Sequence, residues 1–183
     1  MNDLMLDIET LSTSIPSPII SIAAAFFDIN TGEIGATYYS VIKLESALQH
    51  GELEAKTLQW WFKQSDDARS IFNSTNAIEL NEALITFSTF LKEHASPENV
   101  KIWGNGACFD NVILANAYNK TGLPIPWSFK KDRDVRTIVD LCIRIKEQDP
   151  TLLVARTGTP HNALDDVIHQ VKYVTLAYNL LNK

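Results

Sequence analysis

The order of apolar patterns along this 183-residue chain predicts an α/β domain, a mixed β-sheet flanked by α-helices. Three observations carry that expectation. The first 44 residues read as strands; apolar residues then recur at helical spacing; and from Val100 onward short apolar runs alternate with helix-length segments. Strands first, then helix and strand by turns, is how a sheet with both parallel and antiparallel neighbours reads.

The first strand is Leu4 to Ile8, broken by Asp7 and followed by Glu9. Pro18 to Phe27 is β-branched and Ala-rich, too apolar for a surface strand. Asp28-Ile29-Asn30-Thr31-Gly32 is turn chemistry, and Glu33 to Ile42 returns as a third strand, so an antiparallel meander is expected. Thr57 is placed to cap a helix over Leu58 to Gln64. Ile78 to His94 carries apolar residues at 80, 84, 87 and 91, one helical stripe. Val100 to Trp103 is a short strand running into Gly104-Asn105-Gly106. A helix from about Asp110 to Lys120 stops at Gly122, ahead of Pro124 and Pro126. Val135 closes another short strand before a helix from about Thr137 to Glu147. Asp149 to Pro160 reads as polar loop. Asn162 to Leu181 is the last helix, with apolar residues at 164, 167, 168, 171, 174 and 178 on one face.

Bulk properties bound the rest. A chain of this length reads as a single domain over 1–183, and 45% hydrophobic residues suffice for a core without staples. Cys108 and Cys142 have neither metal-type nor redox-type spacing, which fits a reducing compartment. No basic leader with an apolar run is visible, and no stretch approaches the roughly 18 apolar residues of a membrane span. A soluble, cytoplasmic protein with no membrane partner is expected. The net charge of −6 argues against coating long nucleic acid, since phosphate neutralisation dominates such binding. It leaves open an enzyme that grips a few terminal nucleotides through bound cations.

Three pieces carry chemistry. Successive strand residues point to opposite faces, so Asp7 and Glu9 share a face that Leu6 and Ile8 avoid. Adjacent carboxylates on an apolar strand repel and want water, and a cation removes both penalties; a solvated strand end is the ordinary alternative. The second piece is Asn105-Gly106-Ala107-Cys108-Phe109-Asp110, a sharp turn delivering Asp110 to a helix start, where an N-cap is the ordinary role. The third is His161-Asn162-Ala163-Leu164-Asp165-Asp166. Here Asn162 looks like the cap, Asp165 favours the helix dipole, and His161 lies just outside. A capping or surface histidine is the ordinary reading, and helical periodicity does not separate Asp165 from Asp166.

Taken together, Asp-x-Glu on the first strand, Phe-Asp after a Gly/Asn turn, and His followed five residues later by Asp resemble the DEDDh (DnaQ-like) 3′–5′ exonucleases in order and spacing. The likeness runs from about Leu4 to Val174. Asp-Ile-Glu-Thr-Leu, Trp60-Trp61, Trp103-Gly-Asn-Gly-Ala and Asp134-Val-Arg-Thr look most like a branch holding mycobacterial-type exoribonuclease and phage exonuclease A. The resemblance implies an RNase-H-like (ribonuclease H-like) fold, whose element order this chain shares. It implies catalysis by Asp7, Glu9, Asp110, Asp166 and His161 with two divalent cations, Mg²⁺ or Mn²⁺. Oxygen ligands select such hard ions over zinc. By the same resemblance Asp7 bridges the ions, Glu9 and Asp166 hold the nucleophile-side ion, and Asp110 acts mainly one layer out. His161, a residue type that titrates near neutrality, would take a proton from the attacking water. The family spacing from the histidine selects Asp166 over Asp165.

Substrate contacts are less constrained. The resemblance implies that Thr10 and Leu11 meet the terminal nucleotide, and that Asn105 matches an Asn often found before the Phe-Asp pair. Adjacent tryptophans on a helix point about 100° apart, so one of Trp60 and Trp61 is core; Trp61 is the candidate for stacking on a base. Gln64 reads as a surface residue. Lys130, Lys131, Arg133 and Arg136 are the densest basic group, either a solvated loop or a phosphate grip, with Arg136 as the candidate contact. Asp134 and Asp140 are expected to be structural. The expected activity is release of nucleoside 5′-monophosphates from single-stranded RNA or DNA 3′ ends, RNA slightly favoured. A homodimer is a further expectation, since relatives often pair. The alternatives are an endonuclease, against which the His161–Asp166 motif argues, and a catalytically inactive nucleic-acid-binding or regulatory module.

Overall fold

The computed structural model describes residues 1–183, and the sheet it shows follows from where the apolar residues fall. Strands β1 (Asp3–Thr10), β2 (Ile19–Phe27) and β3 (Ile34–Val41) form the antiparallel meander; β4 (Lys101–Gly104) and β5 (Asp132–Asp134) add parallel to β1. The five strands lie in the order β3-β2-β1-β4-β5. The Asp28 carboxylate accepts from the backbone N–H groups of Asn30 and Thr31, closing the turn between β2 and β3.

Both faces of the sheet are covered. Helices α1 (Leu44–Leu48), α2 (Ala55–Trp61), α3 (Asp66–Arg69), α4 (Leu80–His94) and α5 (Asp110–Thr121) precede β5. After it come α6 (Val135–Lys146), α7 (Pro150–Leu153) and α8 (Ala163–Leu181). The larger core joins Leu4, Leu6 and Ile8 of β1 to Leu84 and Phe87 of α4 and Ile113 and Leu114 of α5. On the opposite face Met5 packs with Ala23, Ala25 and Phe27 of β2 against Val167, Val171 and Val174 of α8. Strand alternation thus divides β1 into a side that is apolar from Leu4 to Ile8 and a side that is apolar only at Met5. No helix is long and apolar enough to cross a membrane.

Four local expectations change. Helix α2 begins at Ala55, so Thr57 lies inside it; Glu54 holds the cap position and its carboxylate accepts from Thr13 N and Oγ1 at 3.1 and 3.0 Å. Val135 opens α6 rather than closing a strand, because the Asp134 carboxylate caps the helix by accepting from Thr137 N at 2.7 Å. Within the segment read as loop from Asp149 to Pro160, Pro150–Leu153 forms a helical turn, with Pro at its start and Asp149 accepting from Thr151 N. Helices α1 and α3, and the 3₁₀ turn Ser70–Asn73 after them, were not anticipated.

The parallel strands β1 and β4 run to the same edge, where Leu6 pairs with Gly104. A Cβ on Gly104 would lie 2.4 Å from Asn111 Oδ1, so glycine lets α5 start directly against the strand end. Gly106, at φ +108°, turns the chain between them. In open α/β sheets the crevice beyond the strands' carboxyl ends is where ligands sit.

Candidate active site

A polar cleft of about 460 Å³ opens at that edge. It is lined by Asp7, Glu9, Asp110, His161 and Asp166, brought from three distant segments of the chain. Asp7 and Glu9 pair across β2 with Ala23 and Ser21, small residues that leave room above the strand. Asp110 is buried and its Oδ1 accepts the Ile8 backbone N–H at 3.3 Å, locking the head of α5 to β1 between the two strand acids. Its place at the helix start is not that of a cap: Phe109 occupies the cap position, and no side chain bonds there.

The third segment is set by α8. Asn162 caps it by accepting from Leu164 N and Asp165 N. His161 just before has φ 65°, a left-handed conformation costly for a residue with a Cβ and common at functional positions. Its backbone N–H donates to Asp166 Oδ2 at 3.0 Å. Ligand-type atoms of Glu9, His161 and Asp166 lie within 4.8 Å of one another. Asp165 turns away: its Oδ2 accepts from Thr159 N at 2.8 Å and ties down the preceding loop.

Electrostatics distinguish the strand acids. Burial raises the Asp7 carboxyl well above its usual value; Asp110, Glu9 and Asp166 raise it further, against the Gln170 side chain, which donates to Asp7 Oδ1 at 2.8 Å. Burial, then Asp166 and Asp110, push Glu9 up to about 9. Burial lifts Asp110 to about 7, opposed by the Ile8 N–H, its own backbone N–H and the charge of Arg136. Such a cluster holds protons tightly because burial disfavours the charged carboxylates and neighbouring acids repel one another.

The proposed substrate contacts separate. Asn105 and Arg136 line the cleft, and Arg136 lies against Gly106. Trp61 does not face it: the indole is buried and its Nε1–H donates to Thr10 O at 3.0 Å. Trp60 is the tryptophan at the cleft, 39% exposed, with its ring centre 4.6 Å from that of His161 in an edge-to-face arrangement. Leu11 is buried in the larger core, with its N–H donating to Pro18 O and its carbonyl accepting from Glu54 N. Thr10 is buried too, and its hydroxyl donates to Ser12 O. Neither side chain is presented to the cleft. Gln64 donates back to Trp60 O. Arg133 donates to Lys130 O and Asp132 O within its own turn, and neither lysine reaches the cleft. Asp134 also accepts from Ala107 N at 2.7 Å, and Asp140 pairs with Arg144.

Arg156, His169, Gln170 and Tyr173 also line the cleft and were missed. The last three had a signal: they follow Asp166 by three, four and seven residues, the spacing of one helix face. Arg156 had none, lying in an irregular loop.

Residues 2–178 match the family described as the Rv2179c-like 3′–5′ exoribonuclease domain. An exodeoxyribonuclease of enterobacteria phage T4 is 24% identical over 170 residues, covering 80% of this chain and 74% of the phage protein. Among solved structures, cell-death related nuclease 4 (CRN-4) superposes with a TM-score of 0.74 at 14% identity, over 97% of this chain. This chain spans 63% of the length of CRN-4. The nuclease domain of 3′hExo, a DEDDh family member bound to rAMP, gives a TM-score of 0.65 at 15% identity, over 95% of this chain and 90% of that one. These structural likenesses establish the RNase-H-like fold. With all but a few terminal residues matched, the chain belongs to the Rv2179c-like 3′–5′ exoribonuclease domain family.

Proposed function

We propose that the chain is a metal-dependent 3′–5′ exonuclease that releases nucleoside 5′-monophosphates from single-stranded ends, with RNA as the favoured substrate. The observation that carries this reading is the convergence of Asp7, Glu9, Asp110 and Asp166 on one cleft beside His161. A hard divalent ion fits that donor set. Glu9 is buried and Asp7 half-buried, their proton affinity is raised, and the protein offers them mainly two guanidinium groups, Arg136 and Arg156. Asp7, Glu9 and Asp166 would hold two ions, Mg²⁺ or Mn²⁺, and Asp110 would back them from the Ile8 N–H. When bound, such ions neutralise the carboxylates and polarise the scissile phosphate.

The remaining work falls to the chain's own side chains. His161, held in its unusual backbone conformation and buttressed edge-to-face by the Trp60 ring, stands beside Glu9 and Asp166 to take the proton of the attacking water. Gln170 fixes the orientation of the Asp7 carboxylate. Arg136 and Asn105 face the cleft where the phosphate and terminal nucleotide would enter. The family description supports RNA, and the phage relative makes DNA the comparison to run. Matched 5′-labelled RNA and DNA oligonucleotides, incubated with Mg²⁺ or Mn²⁺ and with EDTA, test the proposal. Metal-dependent shortening of RNA faster than DNA is expected. No shortening of either strand with metal present would refute it.

A further inference from the structure

The loop between α7 and α8 brings a cation to the carboxylates for which the proposed hydrolysis has no assigned use. Arg156 Nη2 donates to Asp166 Oδ1, while Asp166 Oδ2 accepts the His161 N–H. Both oxygens of this carboxylate are therefore held by N–H donors. Arg156 Nη2 also lies 3.5 Å from Thr159 O, but the loop has tethers besides it: Thr159 N donates to Asp165, and Lys172 Nζ donates to Thr157 Oγ1 at 2.7 Å. The Arg156 side chain is 33% exposed, so the guanidinium can leave Asp166 by side-chain rotation without the loop opening.

A lone pair engaged by a guanidinium is not free for a metal ion, and two cations on one carboxylate repel. A freed guanidinium in the same cleft has a natural target, because its planar fork of donors matches phosphate oxygens. We infer that Arg156 is a placeholder cation that neutralises Asp166 until a divalent ion binds, then turns to the phosphate of the substrate's terminal nucleotides. Arg156 is thus a competitor for the metal site and afterwards a substrate-positioning residue. The inference rests on the metal-dependent reading for the identity of the competing ion.

Isothermal titration of Mn²⁺ into substrate-free protein separates the two. The Arg156→Gln variant should bind Mn²⁺ about 5- to 50-fold more tightly than the wild-type chain, in the usual range of coupling between linked sites. Its metal-free melting temperature should fall, since Asp166 loses its partner. With Mn²⁺ saturating, nucleoside 5′-monophosphate should bind this variant about tenfold more weakly, the loss of one charge-assisted contact. Arg156→Lys, which keeps the charge, should lie between the two in both titrations. Equal or weaker Mn²⁺ binding by the Gln variant would overturn the competition. Tighter Mn²⁺ binding with unchanged nucleotide binding would overturn the move to phosphate. Failure of both wild type and variant to bind Mn²⁺ would overturn the metal reading and this inference with it.

Discussion

Asp7, Glu9 and Asp110 reach the cleft from β1 and the head of α5, while Arg156, His161 and Asp166 reach it from the α7–α8 loop and the start of α8. The first group is built into the sheet. Glu9 and Asp110 are buried, Asp110 is bonded to the backbone of β1, and the acids raise one another's proton affinity. The second group lies nearer solvent and is held by polar contacts that can exchange: an ion pair, a backbone N–H and a left-handed turn. On the proposed reading the two groups would have separate duties: Asp7 and Glu9, with Asp166 from the helix start, would supply the charge that draws cations, and Arg156 and His161 would adjust to the substrate.

The largest break should come on the strand side. Asp7→Asn should abolish cleavage, a loss of about 10³-fold or more if the carboxylate is worth several kcal/mol in the transition state. Metal-free stability should hold or rise, because the substitution removes an anion from a crowded site. Calorimetry in EDTA beside a nuclease assay reads both; near-wild-type activity would remove Asp7 from the metal role. On the loop side, His161→Ala should lower the rate by about 10²–10⁴-fold while Mn²⁺ still binds. A variant with near-wild-type activity would show that the proton goes elsewhere.

Smaller changes sharpen the contrast. Gln170→Met should cost about 10–100-fold in metal affinity or activity, the usual effect of losing the group that orients a ligand, with the fold intact by circular dichroism. The pH dependence of stability should belong to the strand acids. Glu9 rises on folding from 4.5 to about 9, and Asp110 from 3.8 to about 7. A carboxyl that binds its proton more tightly when folded contributes stability that is full below the unfolded value and is lost as pH climbs through the folded one. Metal-free melting temperatures should therefore decline from about pH 5 to 9. Glu9→Gln should flatten that decline, and a slope unchanged by the substitution would place the titration elsewhere.

Much of this was readable before any coordinates. Alternation on β1 put Asp7 and Glu9 on one face, and the glycines after β4 announced the turn that delivers Asp110. The meander and the long helices α4 and α8 carried their own periodicity. Helices α1, α3 and α7 have four or five residues each, too few for a repeat to show. The choice between Trp60 and Trp61 failed because spacing says that adjacent residues diverge but not which one meets the core. That is settled by Trp61 reaching Thr10 O. Leu11 looked like a substrate contact only through resemblance, and the core claimed its side chain. Arg156 became visible only through its partner, Asp166.

A cleft that removes nucleotides from a free 3′ end requires that end. Linear and closed circular single strands of identical sequence, the linear one 5′-labelled, are incubated with Mg²⁺ or Mn²⁺. A ladder of successively shorter labelled products is expected from the linear strand, and the circle should persist. A terminal 3′-phosphate should slow the ladder by crowding the place of the free hydroxyl. Rapid nicking of the circle would overturn the exonuclease reading, because a site that needs an end has nothing to grip there.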